Sequence, residues 1–214
     1  RNVTIAIVDT GINKYHPDLD DIDDDPTTHD PKVLAEASFV DNNYDGIPDE
    51  PPDDLHGHGT HVAGICAGTG ATGGMGFFGT WPYYGYHDVT IMPGTEMGVA
   101  PGAYLYNAKA FDQFGYGYDS WIIGAIEWSV HCGADIISGS FGGWPMVPPE
   151  QDPIVLAIKE AVNHGVVVVI AAGNEGFGYF STSSPGFAPE VITVGATTET
   201  DHLIFFSSRG PESF

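Results

Sequence analysis

The feature that most constrains this chain is the alternation of short apolar runs with helix-like segments. Six runs have the length and composition of β-strands: residues 3–8, 33–40, 103–111, 135–139, 166–171 and 191–195. Several are apolar throughout, which is typical of strands that are covered on both faces. The alternation predicts an α/β fold with a doubly wound, mainly parallel sheet and helices on both faces, which makes three layers.

The predicted helices have recognisable starts and inner faces. Asp119 or Ser120 can cap one helix, whose apolar residues recur at helical spacing as far as Val130. A second helix is predicted over 152–164, and a third, made of small residues, over 62–67. The residues expected on the inner face of the second helix are Ile154, Leu156, Ile158 and Val162.

The charge balance excludes several classes of partner. The chain has 29 Asp and Glu against 6 Lys and Arg, for a net charge of −23. Such a surface repels nucleic acid and anionic membranes, so we expect neither as a partner. No run of 18 or more apolar residues occurs, so no membrane span is expected. The acidity fits bound calcium, a saline or acidic medium, or simply a solvated surface.

Residues 41–54 resemble the first part of a calcium-binding loop. The candidate ligands are oxygen atoms at alternate positions: Asp41, Asn43, Asp45, the carbonyl of Ile47, and Asp49. Gly46 permits the sharp turn that such a loop needs, but the twelfth position is Pro52 instead of a bidentate Glu. Asp53 or Asp54 can substitute. The segment predicts a structural Ca²⁺ site, with a solvated acidic turn as the alternative.

Three histidines, His56, His58 and His61, occur within six residues and allow two chemistries. Three imidazoles can hold a catalytic zinc ion, but the zinc pattern closest to this spacing belongs to a fold with a different order of strands and helices. The alternative is nucleophilic catalysis, in which a histidine base is held by a buried carboxylate. Asp9 and Asn174 follow predicted strands, and the carboxyl ends of parallel strands share one edge. Asp9 can therefore orient a histidine, and Asn174 can donate a hydrogen bond to an oxyanion.

Four motifs, in chain order, resemble those of the subtilisin-like serine proteases. They are Val8-Asp9-Thr10-Gly11, His58-Gly59-Thr60-His61-Val62-Ala63-Gly64, Ser140-Phe141-Gly142-Gly143 and Ala171-Ala172-Gly173-Asn174-Glu175-Gly176. The resemblance covers nearly the whole chain except the acidic loops and an insertion rich in Gly and aromatic residues at 68–98. It implies a single peptidase domain over 1–214 and, together with the acidity, a secreted or cell-surface location.

The resemblance also implies roles for individual residues. Asp9 would orient the general base His58, and Asn174 would stabilise the oxyanion. His61 would be a buried residue of its helix, and Glu175 would either favour basic substrates or have no role. Three segments would form the substrate groove: Gly115-Tyr116-Gly117, Ser140-Phe141-Gly142 and Ala171-Ala172-Gly173.

One motif of the family is absent from the chain. The family's nucleophilic serine lies in a Gly-Thr-Ser-Met-Ala motif, and neither Ser207, Ser208 nor Ser213 has such a context. We therefore expect a domain that is incomplete at its C-terminus, whose partner is the remainder of its own catalytic domain. The expected function is hydrolysis of polypeptides through an Asp-His-Ser triad whose serine lies outside this chain. A truncated enzyme, or an inactive, calcium-stabilised peptide-binding or adhesion module, remains as an alternative.

Overall fold

Six strands form one parallel sheet in the structure, a computed structural model that describes residues 3–23, 27–71 and 97–210. In chain order the strands are β1 (Thr4–Asp9), β2 (Val33–Ser38), β3 (Tyr104–Lys109), β4 (Ile136–Gly139), β5 (Val167–Ala171) and β6 (Ile192–Val194). They lie in the order β2-β3-β1-β4-β5-β6, and every neighbouring pair is parallel. β1 is therefore central, and its carboxyl end lies between those of β3 and β4.

Three α-helices cover the sheet from two sides. They are α1 (His58–Ala67), α2 (Asp119–His131) and α3 (Pro153–Asn163), and a short 3₁₀-helix, Pro149–Gln151, precedes α3. α2 and α3 pack against each other and against one face of the sheet, whereas α1 packs on β1 and β3 from the other face. The predicted three-layer α/β fold is confirmed.

The alternation of side chains along β1 joins the two apolar layers. Ala6 and Val8 belong to the layer shared with α2 and α3, while Ile5 and Ile7 belong to the layer under α1. Successive residues of a strand point to opposite faces, so a strand that is apolar at every position needs a cover on both sides. β1 has both covers, and its six residues are all buried.

The face that α1 covers is left open farther along the sheet, at β5 and β6. The register pairs Val169 with Ile192 and Ala171 with Val194, which places these residues on that face. Val167 is 45% exposed, Ile192 57% and Val194 48%. We call this area the β5–β6 face and define it by Val167, Val169, Ala171, Ile192 and Val194.

Several predicted details of the helices are wrong. α1 begins at His58 and not at residue 62, and the N-cap of α2 is Tyr118 instead of Asp119 or Ser120. In α3, Leu156 is 45% exposed, and Val155 is buried in its place. Most of the predicted insertion, residues 72–96, lies outside the described residues.

Candidate active site

Asp9 and His58 meet at the carboxyl edge of the sheet. Asp9 is the last residue of β1, and His58 is the first residue of α1. The Nδ1 atom of His58 lies 2.7 Å from Oδ1 of Asp9, which also accepts a 2.7 Å hydrogen bond from the Thr10 N–H. The Asp9 side chain is 3% exposed and that of His58 is 40% exposed. The imidazole therefore contacts a buried carboxylate on one side and solvent on the other.

Asp9 also sets the proton affinity of His58. The hydrogen bond that His58 donates to Asp9 raises the pKa of His58 above its usual value, and burial opposes this rise. The negative charges of Asp9 and Asp54 raise the pKa further. An imidazole held in this way accepts a proton readily, and the resulting imidazolium is stabilised by its neighbours.

The close approach of α1 to β1 depends on Gly59. A Cβ atom at Gly59 would overlap the carbonyl oxygen of Gly11 and would lie 3.1 Å from the Cβ of Asp9. Gly11 itself has φ +111°, a left-handed conformation that favours glycine. The glycines beside His58 and Asp9 therefore let the two elements touch.

Asn174 lies on the loop that follows β5, and it is exposed at the same edge of the sheet. Its neighbour Glu175 points into the loop: its Oε2 accepts 2.8 Å hydrogen bonds from the hydroxyls of Ser183 and Ser208. Burial raises the pKa of Glu175, but the hydrogen bonds from the two serines and from the backbone N–H groups of Glu175 and Asn174 together outweigh it and lower the pKa. Glu175 is thus an exposed residue whose carboxylate is held by two serines of its own loop region.

Of the three predicted groove segments, Gly115-Tyr116-Gly117 follows β3 and lies beside the histidines. The Asp112 carboxylate accepts hydrogen bonds from Phe114 N and Tyr116 N at 2.8 and 2.9 Å, which shapes the turn. A Cβ atom at Gly115 would lie 3.2 Å from Nε2 of His56. The side chain of Tyr116 is exposed.

The other two groove segments both contact the backbone at Ser183 and Ser184, which lies between them. Ser183 N donates to the carbonyl of Ala172 at 2.9 Å, and a Cβ at Gly142 would lie 2.9 Å from the Cβ of Ser183. Gly143 and Ser184 form an antiparallel bridge. The segments 140–142 and 171–173 thus flank one stretch of backbone, as the two walls of a pocket would.

The serines near the end of the described chain have structural partners. Ser207 and Ser208 are 1% and 5% exposed. The Ser207 hydroxyl accepts a hydrogen bond from Ala196 N, and the Ser208 hydroxyl donates to Glu175. Ser213 lies outside the described residues.

The side chains of the predicted calcium ligands accept hydrogen bonds from backbone N–H groups of their own loop. Asp41 accepts hydrogen bonds from Asp45 N and Gly46 N, Asn43 accepts one from Asp45 N, and Asp45 accepts one from Ile47 N. Asp49 accepts a hydrogen bond from Asn42 N. Within residues 3–23, 27–71 and 97–210, no group of three His, Cys, Asp or Glu residues converges as a metal site would require.

The histidine cluster divides in the structure. His58 pairs with Asp9. The ring of His56 packs edge-on against the ring of His58, with 6.2 Å between the two ring centroids. His61 is exposed on α1, so its predicted burial is wrong.

Sequence reasoning did not predict the roles of two charged residues at the site, the buried Lys109 and the half-buried Asp54. Lys109, fully buried at the end of β3, donates to the carbonyls of Thr10 and Asp53 and lies 3.3 Å from Oε2 of Glu50. Asp54, which the sequence offers as a substitute ligand for the calcium loop, accepts hydrogen bonds from Gly57 N and Thr60 N at the start of α1. A carboxylate just before a helix start is the signal that reveals such a capping residue.

Comparison with known proteins gives a consistent result. Subtilisin E of Bacillus subtilis (strain 168) is 35% identical over 214 residues, which cover 99% of this chain and 45% of that protein. Subtilisin of Bacillus pumilus and the major intracellular serine protease of Bacillus subtilis (strain 168) are also 35% identical, with 62% and 56% of their lengths covered. The chain therefore spans about half the length of these relatives.

The fold and the family profile agree with these relatives. The structure of a cold-adapted subtilisin-like serine proteinase superposes with a TM-score of 0.71 at 24% identity, over 98% of this chain and 60% of that chain, which shows a common fold. The profile described as the subtilase family matches residues 1–213. The chain belongs to the subtilase family.

Proposed function

We propose that the protein containing this chain is a serine endopeptidase that hydrolyses polypeptides through an Asp-His-Ser triad. The observation that carries the proposal is the 2.7 Å hydrogen bond between buried Asp9 and His58 at the carboxyl edge of β1. A carboxylate on Nδ1 fixes the tautomer in which Nε2 can accept a proton. The exposed part of the imidazole then faces the side from which a serine and a substrate would approach.

The remaining parts of the site fit the same reaction. His58 would take the proton of the serine hydroxyl as the oxygen attacks the substrate carbonyl, and would return it to the leaving amine. Asn174, exposed on the loop after β5, would donate to the oxyanion of the tetrahedral intermediate. The segments 115–117, 140–142 and 171–173 would hold the substrate backbone.

We propose that the serine belongs to a segment outside this chain, which completes the domain. The β5–β6 face supports this proposal. A parallel sheet is normally covered on both faces, and here the face opposite α3 exposes Val167, Ile192 and Val194. An added element with an apolar side would bury these residues on the same face of the sheet as α1, the helix that begins with His58.

The function is tested on the full-length protein. We expect a serine-directed phosphonate to abolish hydrolysis of a denatured protein substrate, and His58→Ala to reduce turnover at least a thousandfold, since triad members act as a unit. His29→Ala, an exposed histidine in a loop, is the matched control and is expected to keep full activity. Normal turnover by His58→Ala would contradict the proposal.

The alternative is an inactive peptide-binding or adhesion module of the same fold. In such a module the full-length protein would contain no Gly-Thr-Ser-Met-Ala motif, which does not occur in these 214 residues. Binding of peptides without cleavage by the full-length protein would establish this alternative.

We also propose a structural Ca²⁺ at the loop of Asp41, Asn43, Asp45, Ile47 and Asp49. The support is the density of oxygen donors, the preferred ligands of Ca²⁺, in a turn centred on Gly46 with φ +87°. The carboxylates that now accept backbone N–H groups would have to turn toward the ion. Chelation is expected to lower the Tm, and excess Ca²⁺ to restore it. An unchanged Tm, with Asp45→Asn unfolding like the parent, would rule the site out.

We propose a secreted or cell-surface location, supported by the net charge of −23 and the scarcity of basic residues. One relative is named an intracellular protease, so membership of the family does not fix the compartment. Within the parts of the chain that the structure describes, no helix is long and apolar enough to cross a membrane. Fractionation of the producing cells would decide between the medium, the surface and the cell interior.

A further inference from the structure

We propose that Asp54 is a positioning residue that fixes the distance between Asp9 and His58, an inference that rests on the function proposed above. Its carboxylate lies between the loop after β1 and the first turn of α1, and it binds both. It accepts five hydrogen bonds: from Thr10 Oγ1, His56 N, Gly57 N, Thr60 N and Thr60 Oγ1.

Asp54 holds the start of α1, the helix that begins with His58. Oδ1 accepts from His56 N at 3.0 Å and Gly57 N at 2.7 Å, while Oδ2 accepts from the N–H and hydroxyl of Thr60 at 2.8 and 2.6 Å. The N-cap residue, Gly57, has no side chain to serve this purpose. Asp54 therefore replaces the missing cap, and its negative charge is favoured at the positive end of the helix.

Asp54 also holds the loop that follows Asp9. The Thr10 hydroxyl donates to Asp54 Oδ1 and accepts from Gly59 N, both at 2.9 Å. The Thr10 N–H donates to Asp9 Oδ1 at 2.7 Å. One unbroken set of hydrogen bonds thus runs from Asp9 through Thr10 to Asp54 and on to the helix of His58.

The surroundings of Asp54 suit a carboxylate that stays ionised and accepts hydrogen bonds, and not a group that transfers protons. Burial raises its pKa, but hydrogen bonds from Thr60, Gly57 and Thr10 outweigh that and keep the pKa below its usual range. The carboxylate thus stays charged, and its charge adds to that of Asp9 in raising the pKa of His58. His56 also lies beside His58, and Lys109, which donates to the carbonyl of Thr10, is paired with Glu50.

The test is Asp54→Asn in the full-length protein. The substitution replaces one carboxylate oxygen by an NH₂ group, which cannot accept the hydrogen bond from Thr60 N. The start of α1 then loses part of its attachment, and the negative charge beside His58 is removed. We expect kcat to fall about ten- to a hundredfold with KM nearly unchanged, because a displacement of about 1 Å in a catalytic group has that effect. The titration midpoint of the His58 imidazole, followed by NMR, is expected to move to lower pH.

Asp152→Asn is the matched control for the loss of a helix cap. Asp152 caps α3 by accepting from Ile154 N and Val155 N, far along the chain from the dyad. Its replacement is expected to lower the Tm without moving the His58 midpoint. If Asp54→Asn also lowers only the Tm, Asp54 is a structural cap and the proposal fails.

A second pair of variants keeps Asp54 in place. Thr10→Val removes the hydroxyl that joins Asp54 to the β1 loop, and Thr10→Ser retains it. We expect Thr10→Val to lower kcat and Thr10→Ser to restore it; equal values for the two would overturn the proposal. The NMR midpoint needs no catalysis, so it tests Asp54 even if the protein proves not to be a protease.

Discussion

At the scale of residues, the Asp9–His58 pair determines how the protein should respond to pH. The folded-state pKa of His58 lies above its usual value of about 6.5, mainly because of the hydrogen bond that its Nδ1 donates to Asp9. The charged pair therefore stabilises the fold below that usual value. This contribution disappears as the pH rises through the higher, folded-state pKa.

The pH prediction concerns stability and activity together. Stability lost in His58→Gln, measured by thermal unfolding, is expected to be larger at about pH 5.5 than at about pH 8.5. The rate kcat/KM is expected to rise with pH as His58 loses its proton, with a midpoint above about 6.5 that falls in Asp9→Asn. His29→Gln, at an exposed loop position, serves as control. A stability loss independent of pH would contradict the assignment.

The residues of the pair could be predicted from sequence, whereas their supports could not. Asp9 and His58 each lie in a short motif together with the residues that help to place them, such as Thr10 and Gly59, so the motifs can be recognised from the sequence. Lys109 is different: its interactions with Thr10 and Glu50 join segments about 60 to 100 positions apart, and only the fold brings them together. The sequence does not distinguish a buried lysine from an exposed one, because burial is possible only where carbonyl groups from distant segments accept its hydrogen bonds.

At the scale of elements, helix boundaries depend on side chains that the local pattern hides. The pattern of small residues predicted α1 from residue 62, but Asp54 supplies a cap that extends the helix back to His58. In α3 the buried positions are Ile154, Val155, Ile158 and Ala161, while Leu156 is exposed. Ile154 and Ile158 are buried as predicted, and Val155 and Ala161 are buried in place of Leu156 and Val162. Positions three, four and seven apart share a helix face, whereas position 156 lies two residues from both 154 and 158 and therefore points elsewhere.

The cap of α3 gives a prediction at this scale. Asp152 is 7% exposed, accepts two backbone N–H groups, and accepts the Ser184 hydroxyl at 2.6 Å. Asp152→Ala removes the cap and leaves the hydroxyl buried without its acceptor, so we expect a loss of about 2–4 kcal/mol in the free energy of unfolding.

Denaturant unfolding measures the effect of Asp152→Ala. The control is Asp119→Ala, which removes an exposed carboxylate from the first turn of α2 and is expected to cost about 0.3–1 kcal/mol. Equal losses for the two variants would show that the buried bonds of Asp152 add nothing beyond the helix dipole.

At the scale of the whole molecule, the acidity of the surface is greater than the composition suggests. Only six residues are Lys or Arg, and Lys32 and Lys109 are fully buried. The exposed surface therefore carries very little positive charge against 29 acidic residues. Like charges of this kind repel one another when two copies of the chain approach, but the β5–β6 face is an apolar exception on this surface.

The β5–β6 face gives the last prediction. Val194 and Leu34 are both 48% exposed, one on β6 at one edge of the sheet and the other on β2 at the opposite edge. If a further segment covers the β5–β6 face, Val194 is buried in the full-length protein. Val194→Lys is then expected to lower the free energy of unfolding by about 1.5–3 kcal/mol. Leu34→Lys, whose site stays exposed, is expected to change it by at most about 0.5 kcal/mol.

The comparison is sharpest when both variants are also made in residues 1–214 alone. There Val194 remains exposed, so Val194→Lys should have as little effect on unfolding as Leu34→Lys, and it should reduce binding of a hydrophobic dye. The difference between the two proteins isolates the contribution of the covering segment, since the substitution and its local surroundings are the same. Equal effects of Val194→Lys in both would mean that nothing covers this face, and the serine would then have to be sought elsewhere.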